Sequence, residues 1–96
     1  FLTNEAIALF DLKEEEFYTN TTTEYREARM ACYHLYHKYT SYSYAKVAQV
    51  FGTGKRNIIY YKQKVDERLS IPHYYKPFIQ LYDQLEERSI QFISKL

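Results

Sequence analysis

The chain has few of the residues that break regular structure or cross-link a small protein. Only two glycines, two prolines and one cysteine occur among its 96 residues, and tryptophan is absent. With so little glycine and proline, long irregular segments are not expected, and the composition indicates an all-α fold. The single cysteine, Cys32, excludes an internal disulfide and suits a reducing, cytoplasmic compartment.

Long hydrophobic runs are also missing. No stretch of about 18 apolar residues is present, so the sequence predicts no membrane span, and the N-terminus lacks a basic-then-apolar signal pattern. The length suits one core, and we expect residues 1–96 to form a single helical domain. Because the first residue is Phe1 and not Met, a preceding domain is an open alternative.

Charge is distributed unevenly, although the net charge is only +1. Residues 1–24 carry one lysine and six acidic residues, whereas residues 25–64 carry eight basic residues and one acidic residue. Residues 65–96 carry four basic and five acidic residues. A basic block of this kind is expected where one face of a protein meets a polyanion, so the eight basic residues should share a face. The alternative is a solvated surface with uneven charge.

The spacing of apolar residues predicts a compact bundle of five to six helices. Thr3 and Asn4 are candidate N-caps for a first short helix, and residues 12–18 form a second helical turn. A longer helix over residues 24–39 has one apolar stripe, made by Ala28, Ala31, Cys32, Leu35 and Tyr39. Pro72 marks a break, and a last helix is predicted over residues 74–96.

The segment over residues 43–69 has the pattern of a helix-turn-helix. Ser43 is the candidate N-cap of its first helix, and the glycines at 52 and 54 allow a sharp turn. The second helix opens with Lys55, Arg56 and Asn57, where a helix in the major groove reads base edges. The alternative is an ordinary bundle helix with a solvated basic face.

Residues from about 6 to 85 resemble the C-terminal DNA-binding domain of the bacterial replication initiator DnaA, which has a Trp-repressor-like fold. In that family a long helix begins with an Ala-x-Arg-x-x-Ala type of pattern, and this chain has AlaArgMetAla at residues 28–31. A Thr-Asn-x-Ser-Leu-x-x-Ile-Gly-x-x-Phe-Gly segment follows in the family, and residues 40–52 correspond to it as TSYSYAKVAQVFG. The resemblance implies double-stranded DNA as the partner, with a role in replication initiation or in transcriptional control.

The resemblance also implies particular contacts. Arg29 matches the family's arginine that enters the minor groove, while Tyr44 and Ala45 match positions that touch thymine methyls and backbone. Residues 55–57 replace the family's His-Thr-Thr run if one residue is deleted in the preceding loop. The Gly-Gly-Arg-Asp-His-Thr-Thr signature itself is absent, and the neutral run over residues 19–23 replaces a basic loop. The sequence therefore predicts a divergent relative.

The predicted DNA-binding residues combine the recognition helix, the first helix of the motif and two arginines of the long helix. Phosphate contacts from outside the recognition helix would fix the orientation of the protein on the duplex. Most of the 12 tyrosines are expected in the core or at its rim. The set is Arg26, Arg29, Ser43, Tyr44, Ala45, Lys46, Lys55, Arg56, Asn57, Tyr60 and Lys64.

Patterns for other functions are weak. His34 and His37 lie three residues apart near Cys32, but the sequence offers no further metal ligands at suitable spacing. The serines and threonines lack a nucleophile motif, so we expect no enzyme activity, cofactor or metal. An alternative to DNA binding is a helical protein-interaction module that keeps the fold, since the family signature is lost and the surface is rich in tyrosine.

Overall fold

A computed structural model describes all 96 residues. It contains no strands, and the predicted all-α bundle is confirmed. The helices are α1 (Leu2–Leu9), α2 (Thr23–Tyr39), α3 (Tyr44–Phe51), α4 (Lys55–Ser70) and α5 (Lys76–Ser94). Short 3-10 turns at Glu14–Glu16 and Pro72–Tyr74 lie in the α1–α2 and α4–α5 connections. None of the helices combines the length and the apolar character needed to cross a bilayer.

The second helix, α2, forms the centre of the bundle and contacts each of the other four α-helices. Its residues 28–35 are all buried, so the helix is enclosed on every side. The predicted apolar stripe is confirmed at four positions, while Tyr39 is exposed near the end of the helix. Burial of the remaining side chains, including Arg29 and His34, was not predicted, because apolar spacing does not show how many neighbours surround a helix.

The core is one cluster of 16 buried residues to which every α-helix contributes. Ile58 and Val65 anchor α4 in this cluster, and Phe78, Tyr82 and Leu85 anchor α5. Each large apolar side chain buried in this way contributes about 1.5–3 kcal/mol to the free energy of unfolding. These anchors leave the opposite face of α4 free to meet solvent.

Two helix ends differ from the sequence predictions. The first helix begins at Leu2 after Phe1, without a side-chain cap, so Thr3 and Asn4 are not its N-caps. The last helix begins at Lys76 and not at residue 74, because Pro72–Tyr74 form a separate 3-10 turn. Proline in the first turn of α5 is well tolerated there, since its missing N–H has no partner in a first turn.

The connection between α3 and α4 is a tight turn of three residues. The Ser43 hydroxyl accepts a hydrogen bond of 3.2 Å from the Lys46 N–H, which confirms the predicted N-cap of α3. Gly52 ends α3 in the left-handed conformation with φ +66°, and the Thr53 N–H donates back to the Ala48 carbonyl at 3.0 Å. This left-handed residue turns the chain so that α4 packs against α3.

The two glycines of the turn should respond differently to alanine. Gly52→Ala should lower the free energy of unfolding by about 1 kcal/mol, since an L-residue is strained at this positive φ. Gly54→Ala is the matched control: φ is −83° and no atom lies within 4 Å of an added Cβ, so stability should be unchanged or slightly higher. Urea unfolding followed by circular dichroism measures both, and equal losses would contradict the prediction.

Candidate nucleic-acid interface

The exposed face of α4 carries a ridge of three side chains, Arg56, Tyr60 and Lys64. Their spacing of four residues aligns them over about 12 Å of the helix, at a rise of 1.5 Å per residue. Ile58 and Val65 are buried on the other side of the helix, so the ridge faces solvent. The Lys64 ammonium lies 5.5 Å from the centre of the Tyr60 ring, which places a cation against an aromatic surface.

The first turn of α4 is exposed and basic. Lys55 and Arg56 have no acidic partner within 4.0 Å. The Asn57 amide donates to the Thr53 hydroxyl at 2.9 Å, and this hydrogen bond ties the side chain to the turn. Asn57 keeps its carbonyl oxygen and one N–H for another partner. The three predicted base-reading residues therefore lie together at one end of the ridge.

A groove of about 250 Å³ separates the N-terminal half of α2 from α4. Arg26 of α2 and Lys64 of α4 both line it, together with Tyr60. Deeper in the groove Arg68 forms an ion pair with Glu27, which neutralises that charge. The structure thus brings Arg26 next to the ridge, although the two helices are distant in sequence.

The predicted contacts on α3 differ in how accessible they are. The Ser43 hydroxyl is used by the helix cap, although the residue is exposed. Tyr44 is half-buried, and its ring stacks on His37 with 4.4 Å between the ring centres. Ala45 and Lys46 are exposed, and the Lys46 ammonium lies 5.7 Å from the Tyr42 ring centre. Among these four predicted contacts, Lys46 is the charged residue, and its side chain is exposed.

Arg29 does not lie where the resemblance placed it. The side chain is only 9% exposed, and its Nη1 donates to the carbonyls of Phe17 and Asn20 at 2.7 Å each. These bonds hold the α1–α2 connection against α2. The prediction that Arg29 enters a minor groove is contradicted, because the side chain is buried and Nη1 is bound to two carbonyls of the chain itself.

The expectation that all eight basic residues of the central block share a face is also wrong. Lys38 donates to Glu86 of α5 at 2.5 Å, and Lys62 donates to Asp66 at 2.5 Å. Lys38 and Lys62 are thus neutralised by acidic residues and Arg29 is buried, which accounts for three of the eight basic residues. Five are exposed and have no acidic partner, namely Arg26, Lys46, Lys55, Arg56 and Lys64.

A buried histidine joins three helices beneath this surface. His34 of α2 contacts the Tyr82 hydroxyl of α5 through Nδ1 at 2.7 Å and Asp66 of α4 through Nε2 at 2.8 Å. Burial raises the pKa of the Tyr82 hydroxyl, so it stays protonated and donates to Nδ1. The Nε2–H then donates to the carboxylate. Both ring nitrogens of His34 are occupied by these hydrogen bonds. The spacing in the sequence suggests a role for His34 only together with His37, as two possible ligands of a metal.

Burial sets the charge states in this network. It lowers the pKa of His34 below 6.5 and outweighs the hydrogen bond to Asp66, which favours protonation of the imidazole. Burial also opposes ionisation of Asp66, but hydrogen bonds with Lys62 and His34 outweigh it and lower the pKa of the carboxyl. At neutral pH the imidazole is therefore neutral and the carboxylate charged.

The single cysteine of the chain is buried. Burial raises the pKa of the Cys32 thiol to about 12, so the sulfur is protonated and enclosed. No group of three or more histidine, cysteine, aspartate and glutamate side chains converges on one point. The surface of α4 and its neighbours is the candidate site of this chain.

Comparison with protein-family models finds no matching family, and comparison with curated proteins finds no significant relative. The resemblance to the DnaA domain consequently stays a prediction from the sequence pattern.

The His34 network predicts a loss of stability in mild acid. The pKa of His34 is lower in the folded state than in the unfolded state. The contribution of His34 to the free energy of unfolding is therefore complete above about pH 6.5 and is lost as the pH falls through the folded-state pKa. His34→Gln should cost about 1–3 kcal/mol at pH 7.5, by disrupting buried hydrogen bonds, and should weaken the pH dependence between 7.5 and 5.5. Urea unfolding at both pH values measures it.

His73→Gln is the matched control, since His73 is exposed and makes no side-chain hydrogen bond. This variant should keep both the stability and the pH dependence of the original chain. If His34→Gln lost stability on acidification as steeply as the original chain, the assignment to His34 would be wrong.

Proposed function

We propose that this chain binds double-stranded DNA, with α4 in the major groove. The observation that carries the proposal is the exposed ridge of Arg56, Tyr60 and Lys64, whose charges have no acidic partner in the chain. An α-helix fits the width of the major groove. Cations that are unpaired in the protein can form charge-assisted hydrogen bonds to phosphate without first breaking an ion pair.

The arrangement suggests a division of roles. Arg56 and Asn57 at the start of α4 are placed to read base edges, since the first turns of a recognition helix lie deepest in the groove. Lys64 and Arg26 flank the groove between α2 and α4 and would hold the phosphates beside it. Lys46 on α3 would contact the backbone on the other side of the turn.

The short α3, the three-residue turn and the longer α4 packed against it support the interpretation as a helix-turn-helix. Because Arg29 is buried, the proposed interface depends on α4 with Arg26 and Lys46. It therefore differs from the interface that the DnaA resemblance implies. A role in replication initiation remains a prediction from that resemblance.

Affinity for a random duplex should depend strongly on salt. If four or five of the unpaired cations neutralise phosphates, affinity should fall by about 100- to 1,000-fold between 50 and 200 mM salt. Fluorescence anisotropy with a labelled duplex measures the dependence. An affinity that ignored salt would contradict this mechanism, and no binding at low salt would contradict the proposed function.

Substitutions on the ridge should separate base reading from phosphate binding. Arg56→Ala should weaken binding by about 1–3 kcal/mol and relax any sequence preference. Lys64→Ala should weaken binding to all sequences and reduce the salt slope by about one. Lys95→Ala removes the same charge from an exposed residue at the other end of the chain and should leave binding unchanged. Equal losses in Lys64→Ala and Lys95→Ala would indicate a general charge effect.

The alternative function, a protein-interaction module, would draw on a different surface. An apolar cleft of about 380 Å³ lies between α2 and the C-terminal part of α5 and is lined by Leu35, Tyr36, Phe92 and Ile93 among others. Nothing in the structure shows what covers this cleft. The duplex titration distinguishes the two functions, because the interaction module predicts no measurable affinity for DNA.

A further inference from the structure

Beside the turn between α3 and α4 lies a second polar cavity, of about 230 Å³, which shares only Asn57 with the proposed DNA interface. Its walls come from α2, the turn, the first half of α4 and the connection that precedes α2. None of its lining residues is acidic, and six of them have polar side chains: Tyr18, Arg29, Tyr33, Thr53, Asn57 and Tyr61.

Arg29 lines this cavity and has unused hydrogen-bond donors. Its Nη1 is fully occupied by the carbonyls of Phe17 and Asn20, whereas Nε and Nη2 make no hydrogen bond within the chain. Every fully enclosed side-chain nitrogen or oxygen of the chain has a hydrogen-bond partner. Because Nε and Nη2 have none, both nitrogens are in contact with solvent. The Nε–Nη2 edge offers the parallel N–H groups that bind a phosphate or carboxylate in bidentate fashion.

Tyr33 supplies a second donor of the same kind. The residue is only 4% exposed and lines the cavity, and its hydroxyl makes no hydrogen bond within the chain. Because no fully enclosed oxygen lacks a partner, this hydroxyl is in contact with solvent. Burial raises the pKa of Tyr33 to about 12, although the nearby charge of Arg29 opposes the rise. The hydroxyl is therefore protonated at neutral pH and available to donate.

The charge of Arg29 has no counterion. No carboxylate lies within 4.0 Å of the guanidinium, and the two carbonyl groups compensate its charge only in part. A buried cation without an anionic partner is costly, because it has lost much of its hydration. An anion in the cavity would restore the missing interaction.

We propose that this cavity binds a phosphate group, held by the Nε–Nη2 edge of Arg29 and by the Tyr33 hydroxyl. The second N–H of the Asn57 amide is a third donor at the mouth of the cavity. The site is independent of the α4 ridge, and it makes the turn a second, separate place for recognition of phosphate chemistry.

The size of the cavity limits the ligand to a small anion. About 230 Å³ holds several waters of roughly 30 Å³ each, but lies below the range of about 300–1,000 Å³ typical of pockets for larger organic molecules. A whole nucleotide is therefore not expected inside. The phosphate group can belong to a DNA backbone or to free inorganic phosphate. Two binding measurements, one with each ligand, distinguish these sources.

The first measurement uses inorganic phosphate and the Arg29 Nε–H signal in ¹H–¹⁵N NMR spectra at constant ionic strength. Phosphate should shift this signal in a saturable manner, whereas chloride should not. Tyr33→Phe should weaken phosphate binding about tenfold, because one hydrogen bond to a charged group is lost. Tyr36→Phe makes the same change on the same helix outside the cavity and should bind phosphate like the original chain.

The second measurement repeats the comparison with duplex DNA. If Tyr33→Phe weakens DNA binding while Tyr36→Phe does not, the phosphate belongs to the DNA backbone. If Tyr33→Phe loses phosphate binding while DNA binding is normal or is absent in all variants, the ligand is free phosphate. The proposal is overturned if Tyr33→Phe and Tyr36→Phe behave alike in both measurements.

Discussion

The complete enclosure of α2 is the constraint on which the rest of this structure depends. Eight consecutive residues of one helix are buried, and two of them, Arg29 and His34, are polar. An unpaired buried polar group costs several kcal/mol, so the surrounding elements have to bring partners to both side chains. The α1–α2 connection folds back to place two carbonyls on Arg29, while α4 and α5 place Asp66 and Tyr82 on His34.

The same constraint organises the surface. Because α4 is anchored by Ile58, Val65 and the hydrogen bond that Asp66 accepts from His34, its outer face is held in one orientation. A ridge on a fixed helix loses little conformational freedom on binding, which favours affinity. Ion pairs neutralise Lys38 and Lys62, so the exposed basic residues of the segment 25–64 that have no acidic partner are on α3, on α4 and at Arg26.

The features predicted correctly from the sequence are those that depend on local interactions. The Ser43 cap, the left-handed Gly52 and the apolar faces of α3 and α4 follow from residues within a few positions of each other. The ridge of Arg56, Tyr60 and Lys64 follows from helical spacing alone. The caps of α1 were predicted wrongly, since threonine and asparagine also occur inside helices and Leu2, which packs against the core, already belongs to the helix.

Local chemistry thus determined the helical class, the turn and the face of α4 that carries its charges. Tertiary structure alone decided which of those charges stay unpaired, that Arg29 is enclosed and that a cavity lies beside the turn. The reason is that the burial of a side chain depends on neighbours far away in sequence. A resemblance in pattern can assign Arg29 to a helix, but it does not show which segment covers that side of the helix.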